Sequence, residues 1–276
     1  MKVKFYGVRG SIPVCGTSFQ QFGGNTTCLL ITREKANRIV IIDAGTGIRN
    51  LGKELVARKY KQELINIAFT HFHWDHIQGF PFFLPCYSKD QRIGIHVMGT
   101  ERHFHDIREI FSLMMQPEYF PVQLEEMGAK FEFPNLGDEG TYYGAHVVSV
   151  PQLHKSYGGS YALRIEDAEG SIVICTDIEH GDTIDERIVE LSTNADMLIH
   201  DGQYTEEEYK RLKGWGHSTW QQAVEVAKRA NVKKLVITHH DPDHDDEFLI
   251  GLEKDCQQEF PASVFAREGM EIAVRC

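Results

Sequence analysis

The chain contains no Cys-x-x-Cys pair; its six cysteines, Cys15, Cys28, Cys86, Cys175, Cys256 and Cys276, are scattered. Scattered thiols argue against a disulfide framework and against a thiolate zinc site, and they suit a reducing compartment. Cys175 falls in an apolar run and reads as core. No apolar stretch approaches the roughly 18 residues that a membrane-spanning helix needs. The opening MKVKFYGVRGS lacks the apolar block of a secretory signal, so the expected location is cytoplasmic. Positive charge is scarce: 29 Lys and Arg stand against 40 Asp and Glu, a net charge of −11. The longest basic clusters are the pairs Lys228-Arg229 and Lys233-Lys234. Such a surface counts against a membrane or a nucleic-acid polymer as partner and leaves a small anionic substrate.

Other signatures are missing too. There is no repeat period, low-complexity tract or linker, and no Gly-x-Gly-x-x-Gly; Gly45-x-Gly47 is too short for a dinucleotide fingerprint. Asp241-Pro242-Asp243-His244-Asp245 looks like the start of a calcium loop, but Asp246 stands where glycine is required and Leu252 where glutamate is. Those acids are expected to cap the following helix.

What is present is an ordinary globular composition in 276 residues, enough to bury about three quarters of the unfolded surface in one domain, 1–276. Short Val- and Ile-rich runs predict strands at Thr27–Thr32, Arg38–Asp43, Ile65–Thr70, Ile93–Met98, His146–Val150, Tyr161–Ile165, Ile172–Thr176, Met197–His200 and Leu235–Thr238. Helical spacing links Phe104, Ile107, Ile110, Phe111, Met114 and Met115, and again Trp220, Ala223, Val224, Ala227 and Ala230. Ser218 and Gln221 read as a capping box for the second helix. Residues 80–128, rich in aromatics, Met and Pro, read as a helical insertion that closes the core, covers a site as a lid, or forms a homodimer contact.

The histidines number 14, and several cluster. In Thr70-His71-Phe72-His73-Trp74-Asp75-His76, three imidazoles and a carboxylate follow the apolar run Ile65–Phe69. Strand alternation sends His71 and His73 to one side, and Asp75 and His76 then come from the turn that begins a helix. Imidazole with carboxylate suits Zn, Mn or Fe.

This His-x-His-x-Asp-His motif resembles the metallo-β-lactamase superfamily. Gly7–Pro13, Gly23-Gly24-Asn25-Thr26, Asp43-Ala44-Gly45-Thr46-Gly47 and Gly216-His217-Ser218-Thr219 resemble one branch of it. That branch contains cyclic-nucleotide-phosphodiesterase-like and phosphonate-pathway phosphodiesterase-like hydrolases, near the tRNA 3′-processing nucleases. The resemblance implies an α/β fold: an αββα sandwich of two mixed sheets with helices on the outer faces. It implies further ligands at His154, Asp177 and His239, each just after a strand, with His240 as the rival to His239. His71, His73 and His154 would hold one divalent ion, and Asp75, His76 and His239 a second. Asp177 would bridge the two. Two such cations about 3.5–4 Å apart lower the pKa of a shared water and supply a hydroxide nucleophile at neutral pH.

The resemblance also implies a catalytic pair, His217 with Asp201, for protonating a leaving alkoxide or holding a phosphoryl oxygen. A carboxylate beside an imidazole favours its charged form. Asp43 would orient a metal ligand from behind. Asn25, Ser11 and Arg9 would lie on substrate-side loops, and His240 would support the site or face substrate. The expected activity is a dinuclear phosphodiesterase. The alternative is a diiron protein that binds dioxygen and senses oxygen or redox state for a signalling protein. The superfamily's flavodiiron proteins carry Glu where this chain has His73, which favours the hydrolase.

Overall fold

The computed structural model describes residues 1–33, 38–59, 64–97, 107–134, 137–142, 144–155 and 159–275. Two seven-stranded sheets face each other. In chain order the first half gives β1 (Lys2–Gly7), β2 (Cys28–Arg33), β3 (Arg38–Ile42), α1 (Ile48–Ala57), β4 (Leu64–Phe69), α2 (Trp74–Ile77), β5 (Arg92–Val97), α3 (Ile107–Met114) and β6 (Lys130–Glu132). The second gives β7 (Glu139–Tyr142), β8 (Ala145–Gln152), β9 (Ser160–Asp167), β10 (Gly170–Cys175), α4 (Glu186–Ser192), β11 (Met197–Asp201), α5 (Glu206–Leu212), α6 (Trp220–Arg229), β12 (Leu235–Thr238), α7 (Asp246–Glu259), β13 (Ser263–Phe265) and β14 (Glu271–Ala273). The sheet orders are β14-β1-β2-β3-β4-β5-β6 and β13-β12-β11-β10-β9-β8-β7. This is the expected αββα arrangement of two mixed sheets.

Three buried clusters mark the layers. Val3, Phe5, Leu29, Ile31, Leu163, Ile174 and Ile199 meet between the sheets. Ile48, Leu51 and Leu55 of α1 fall at i, i+3 and i+7 and pack with Phe111 of α3 on the outer face of the first sheet. Trp220, Ala223, Val224 and Ala227 of α6 do the same on the second. Strands β10, β11 and β12 are buried along their whole length. They run parallel and are covered on both faces, which is why they read as unbroken apolar runs and not as alternation. Each large apolar side chain so buried contributes about 1.5–3 kcal/mol.

Two local expectations shift. The α6 capping box is formed by Thr219 and Gln222, one residue later than expected. Ser218 is already committed: its hydroxyl donates to the Ile178 carbonyl at 2.6 Å. Residues 80–128 hold more than helix: the strand expected at Ile93–Met98 is β5, which pairs with β4; Met98 and Phe104 lie outside the described residues. Asp245 caps α7 as expected, accepting the Phe248 amide at 2.9 Å. Among the described residues no helix is long and apolar enough to cross a membrane.

Strand direction decides where the chemistry gathers. β10, β11 and β12 are parallel. β8 runs parallel to β10, since both are antiparallel to β9. Their carboxyl ends therefore share one edge, and β3 and β4 of the first sheet likewise end together. A backbone bond from Tyr161 N to Thr70 O, 3.3 Å, ties the two sheets beside that edge.

Candidate metal centre

Seven of the side chains singled out in the sequence meet at this edge. His71 follows β4, Asp75 and His76 lie on α2, and His73 immediately precedes it. His154 follows β8, Asp177 follows β10 and His239 follows β12. Asp177 and His239 adopt left-handed backbone conformations (φ 57° and 62°), as does Asp43 (φ 60°). Non-glycine residues there carry a strain cost; here the bend comes within two residues of each strand end.

The donors form two groups, His71, His73, His154 and Asp177, and Asp75, His76, Asp177 and His239. Within each group one donor atom per residue lies within 4.8 Å of every other. Asp177 is common to both: its Oδ1 lies 3.7 Å from His71 Nε2, 3.8 Å from His154 Nε2 and 3.2 Å from His239 Nε2. Its Oδ2 lies 3.1 Å from His76 Nε2. His239 Nε2 is also 3.2 Å from Asp75 Oδ2.

The donor chemistry fits divalent cations. His71 Nε2, His76 Nε2 and Asp177 Oδ2 are buried without a well-directed hydrogen bond, a costly arrangement that a cation relieves. Burial, reinforced by the nearby His76, holds His71 well below the usual imidazole range, and burial brings His154 down to about 4. Both are thus neutral, as a metal ligand must be. For Asp177 and Asp75 burial opposes ionisation, yet the surrounding imidazoles outweigh it and hold both carboxyls well below their ordinary value. Burial likewise opposes charge on His76 and His239, but Asp177 and Asp75 prevail; His239 rises to about 9 and His76 well above its ordinary value. The concentrated negative charge thus attracts protons to these two rings, and a cation competes for the same field.

A second layer fixes the rings. Asp43 Oδ2 lies 2.8 Å from His76 Nδ1, while the Thr70 amide and hydroxyl donate to Asp43 at 2.9 Å each. Asp43 therefore contacts His76 through the ring nitrogen opposite the one that faces Asp177. Gln203 Oε1 lies 3.0 Å from His239 Nδ1, and the Ser11 amide donates to Asp75 at 2.9 Å. Gly10 lets the chain pass His239; a Cβ there would come within 2.3 Å of the ring. The Gly216 carbonyl accepts from His154 Nδ1 at 2.8 Å. Glu179 accepts the amides of Gly214 and Gly216 and the Tyr209 hydroxyl. Glu179 and Gln203 were missed in the sequence. Each lies two residues beyond a recognised aspartate, the only signal either offers.

His217 and Asp201 form the expected pair, with His217 Nδ1 2.8 Å from Asp201 Oδ2. Burial opposes ionisation of Asp201, but His217 outweighs it and lowers the carboxyl's pKa. The His217 ring stacks on His239 at 5.0 Å and lines a pocket of about 450 Å³ with Ser11, His73, Asp75 and Asp177.

Three expectations need correction. His240 neither supports the centre nor faces a substrate: its Nε2 donates to the Ala266 carbonyl at 2.9 Å and its ring stacks on Phe265. Burial lowers it to about 3, so it is a neutral core ring. The Asn25 side chain is taken by Glu268 at 2.8 Å and does not line the pocket. Arg9, wholly buried, braces loops by donating to the carbonyls of Gly23, Asp241 and His244.

The family described as "Beta-lactamase superfamily domain" matches residues 38–240. A ribonuclease Z of Picrophilus torridus is 24% identical, over 99% of this chain and 96% of its own length. The fold is shared with the metallo-beta-lactamase fold protein YhfI of Bacillus subtilis (TM-score 0.72, 20% identity, 98% of each chain). It is also shared with the short form of human tRNase Z (TM-score 0.69, 20% identity, 100% of each chain). Relatives named ribonuclease Z overturn the expectation that a nucleic-acid polymer is a poor partner. That expectation rested on net charge, a whole-molecule average that does not give the local field at a site built for cations. From the match over 38–240, which contains every candidate donor, the chain belongs to the beta-lactamase superfamily domain family.

Proposed function

We propose that the chain is a dinuclear metal-dependent phosphodiester hydrolase. The observation that carries this reading is the sharing of Asp177 between two groups of donors, with His217, paired with Asp201, lining the same pocket. His71, His73, His154 and Asp177 hold one divalent cation; Asp75, His76, His239 and Asp177 hold the other. Imidazole and carboxylate donors suit zinc or manganese. When bound, the two cations supply Lewis acidity toward a phosphoryl oxygen and a water acidic enough to attack at neutral pH.

The protein's own groups do the rest. Asp43 and Gln203 orient His76 and His239 through their second ring nitrogens. Asp201 occupies His217 Nδ1, which leaves Nε2 as the nitrogen that can donate a proton to the departing alkoxide. The name of the curated relatives puts the phosphodiester of an RNA chain first among the substrates to test.

The test is hydrolysis of bis(p-nitrophenyl) phosphate and of a short RNA by protein reconstituted separately with Zn, Mn and Fe. Turnover with two metals bound per chain is expected. Full loading without turnover by any metal would sink the reading and favour the dioxygen-binding diiron alternative.

A further inference from the structure

Beside the metal pocket lies a groove of about 660 Å³ walled by Phe72, Trp74, Leu113, Met114 and Tyr119. It shares Phe72 and Trp74 with the metal pocket, so the two are continuous. Trp74 sits in sequence between the candidate donors His73 and Asp75, yet is 80% exposed; Tyr119 is 76% exposed and Leu113 50%. Among the described residues, neither the Trp74 nor the Tyr119 side chain has a hydrogen-bonding or aromatic partner. The floor is firm by contrast, since Phe72 stacks on Phe69 and meets Phe111 edge-on. Among the described residues that line the groove, none is charged. It is therefore built for a flat apolar group and not for a phosphate, whereas the adjoining pocket is built of charged donors.

We propose that this groove is a nucleobase subsite. A base joined through one sugar to a phosphate in the metal pocket lies over Trp74 and stacks between it and Tyr119. This rests on the phosphodiesterase reading and names the part of the substrate that the groove selects. Exposed aromatics beside a phosphate site are the general means of holding bases without reading their sequence. Leaving Trp74 and Tyr119 bare in water is what such a platform requires. The apolar and aromatic side chains of the described walls hold a base by its face and not by its edge, so purines and pyrimidines are both accepted, purines more tightly because they stack over a larger area.

Two measurements test this. The first compares kcat/KM for a dinucleoside monophosphate with that for its analogue lacking the bases, in the wild type, Trp74→Ala, Trp74→Phe and Tyr119→Ala. Metal content is measured in each. Base stacking worth about 1–3 kcal/mol predicts that each alanine variant loses about 5- to 150-fold more on the base-bearing substrate than on the analogue, mostly in KM. Trp74→Phe should recover most of the loss. The second is tryptophan fluorescence of the metal-loaded protein titrated with adenosine 5′-monophosphate and with ribose 5-phosphate. Quenching by the nucleotide alone, weakened in Tyr119→Ala, is expected. Equal losses on both substrates, or no loss, would overturn the proposal. So would a change in the monomer–dimer equilibrium of Tyr119→Ala with base selectivity intact, which would assign the groove to self-association. If no phosphodiester is cleaved at all, the hydrolase reading fails, while the fluorescence titration still decides whether the groove takes a base.

Discussion

His154 Nδ1 donates to the carbonyl of Gly216 at 2.8 Å, and this contact couples the second sheet's donor to the loop that carries His217. The loop is itself held from behind, where Glu179 accepts the Gly216 amide at 2.8 Å and the Gly214 amide at 2.6 Å. A Cβ at Gly216 would come within 2.3 Å of the His154 ring, and its φ is 95°, so only glycine fits there.

Glu179→Gln should loosen that clamp, since an amide nitrogen would now face one of the donors that the carboxylate accepts. Partners of this kind are worth about 10- to 100-fold in metal affinity. A chelator-competition titration should show one cation weakened by that factor and the other little changed. Equal affinity for both in the variant and the wild type would show that Glu179 does not position His154.

Asp43→Asn keeps a side chain that tolerates the left-handed backbone at φ 60°. It removes the charge that holds His76 Nδ1 at 2.8 Å. The expected result is again a loss of about 10- to 100-fold in metal affinity, now in the group containing Asp75 and His239. The same titration checks it, and circular dichroism should show the fold intact.

His217→Ala should lower kcat by about 10²- to 10⁴-fold, the usual worth of a positioned proton donor. Asp201→Asn should lower it in the same direction, because His217 loses the acceptor at 2.8 Å that sets its ring. Both variants should keep two metals per chain. A substrate with a highly acidic leaving group, which needs no proton, should be spared most of the loss in both.

The metal-free protein should lose stability as pH falls. Burial holds His96 at about 4 and His180 at about 3 in the folded state. In the unfolded chain both titrate near the ordinary value of about 6.5. The unfolded state therefore binds more protons below pH 6.5, and stability is lost as pH drops from there through 4. The loss is on the order of 1–3 kcal/mol for each histidine. Urea melts at pH 7 and pH 5 measure it, and His96→Gln should flatten the dependence, with the Asn66 partner at 2.7 Å retained as acceptor.

Much of the centre was legible because its donors stand directly after strands. The run His71 to His76 carries four donors in six positions, and Asp177 and His239 each end an apolar run. Sequence could not separate His239 from His240, since both follow β12. The left-handed turn at His239 decides it, leaving the next ring to pack on Phe265. Arg9 and Asn25 misled because glycine-rich loops look alike whether they face a substrate or brace one another; Arg9 reaches Gly23 in the next such loop, and the other partners, Asp241, His244 and Glu268, lie far off in sequence. The αββα layering came from the family resemblance. The pattern of runs gave most of the strands, β5 within the aromatic-rich segment included, but neither sheet order, because which strands pair depends on contacts far apart in the chain.

The most direct test of the account is metal stoichiometry measured together with turnover, in the wild type and in Asp177→Ala. The shared position of Asp177 predicts two cations per chain and phosphodiester hydrolysis in the wild type. In the variant it predicts weakening of both cations together, with turnover lost. Loss of one cation alone, with the other bound as tightly as before, would contradict the shared centre.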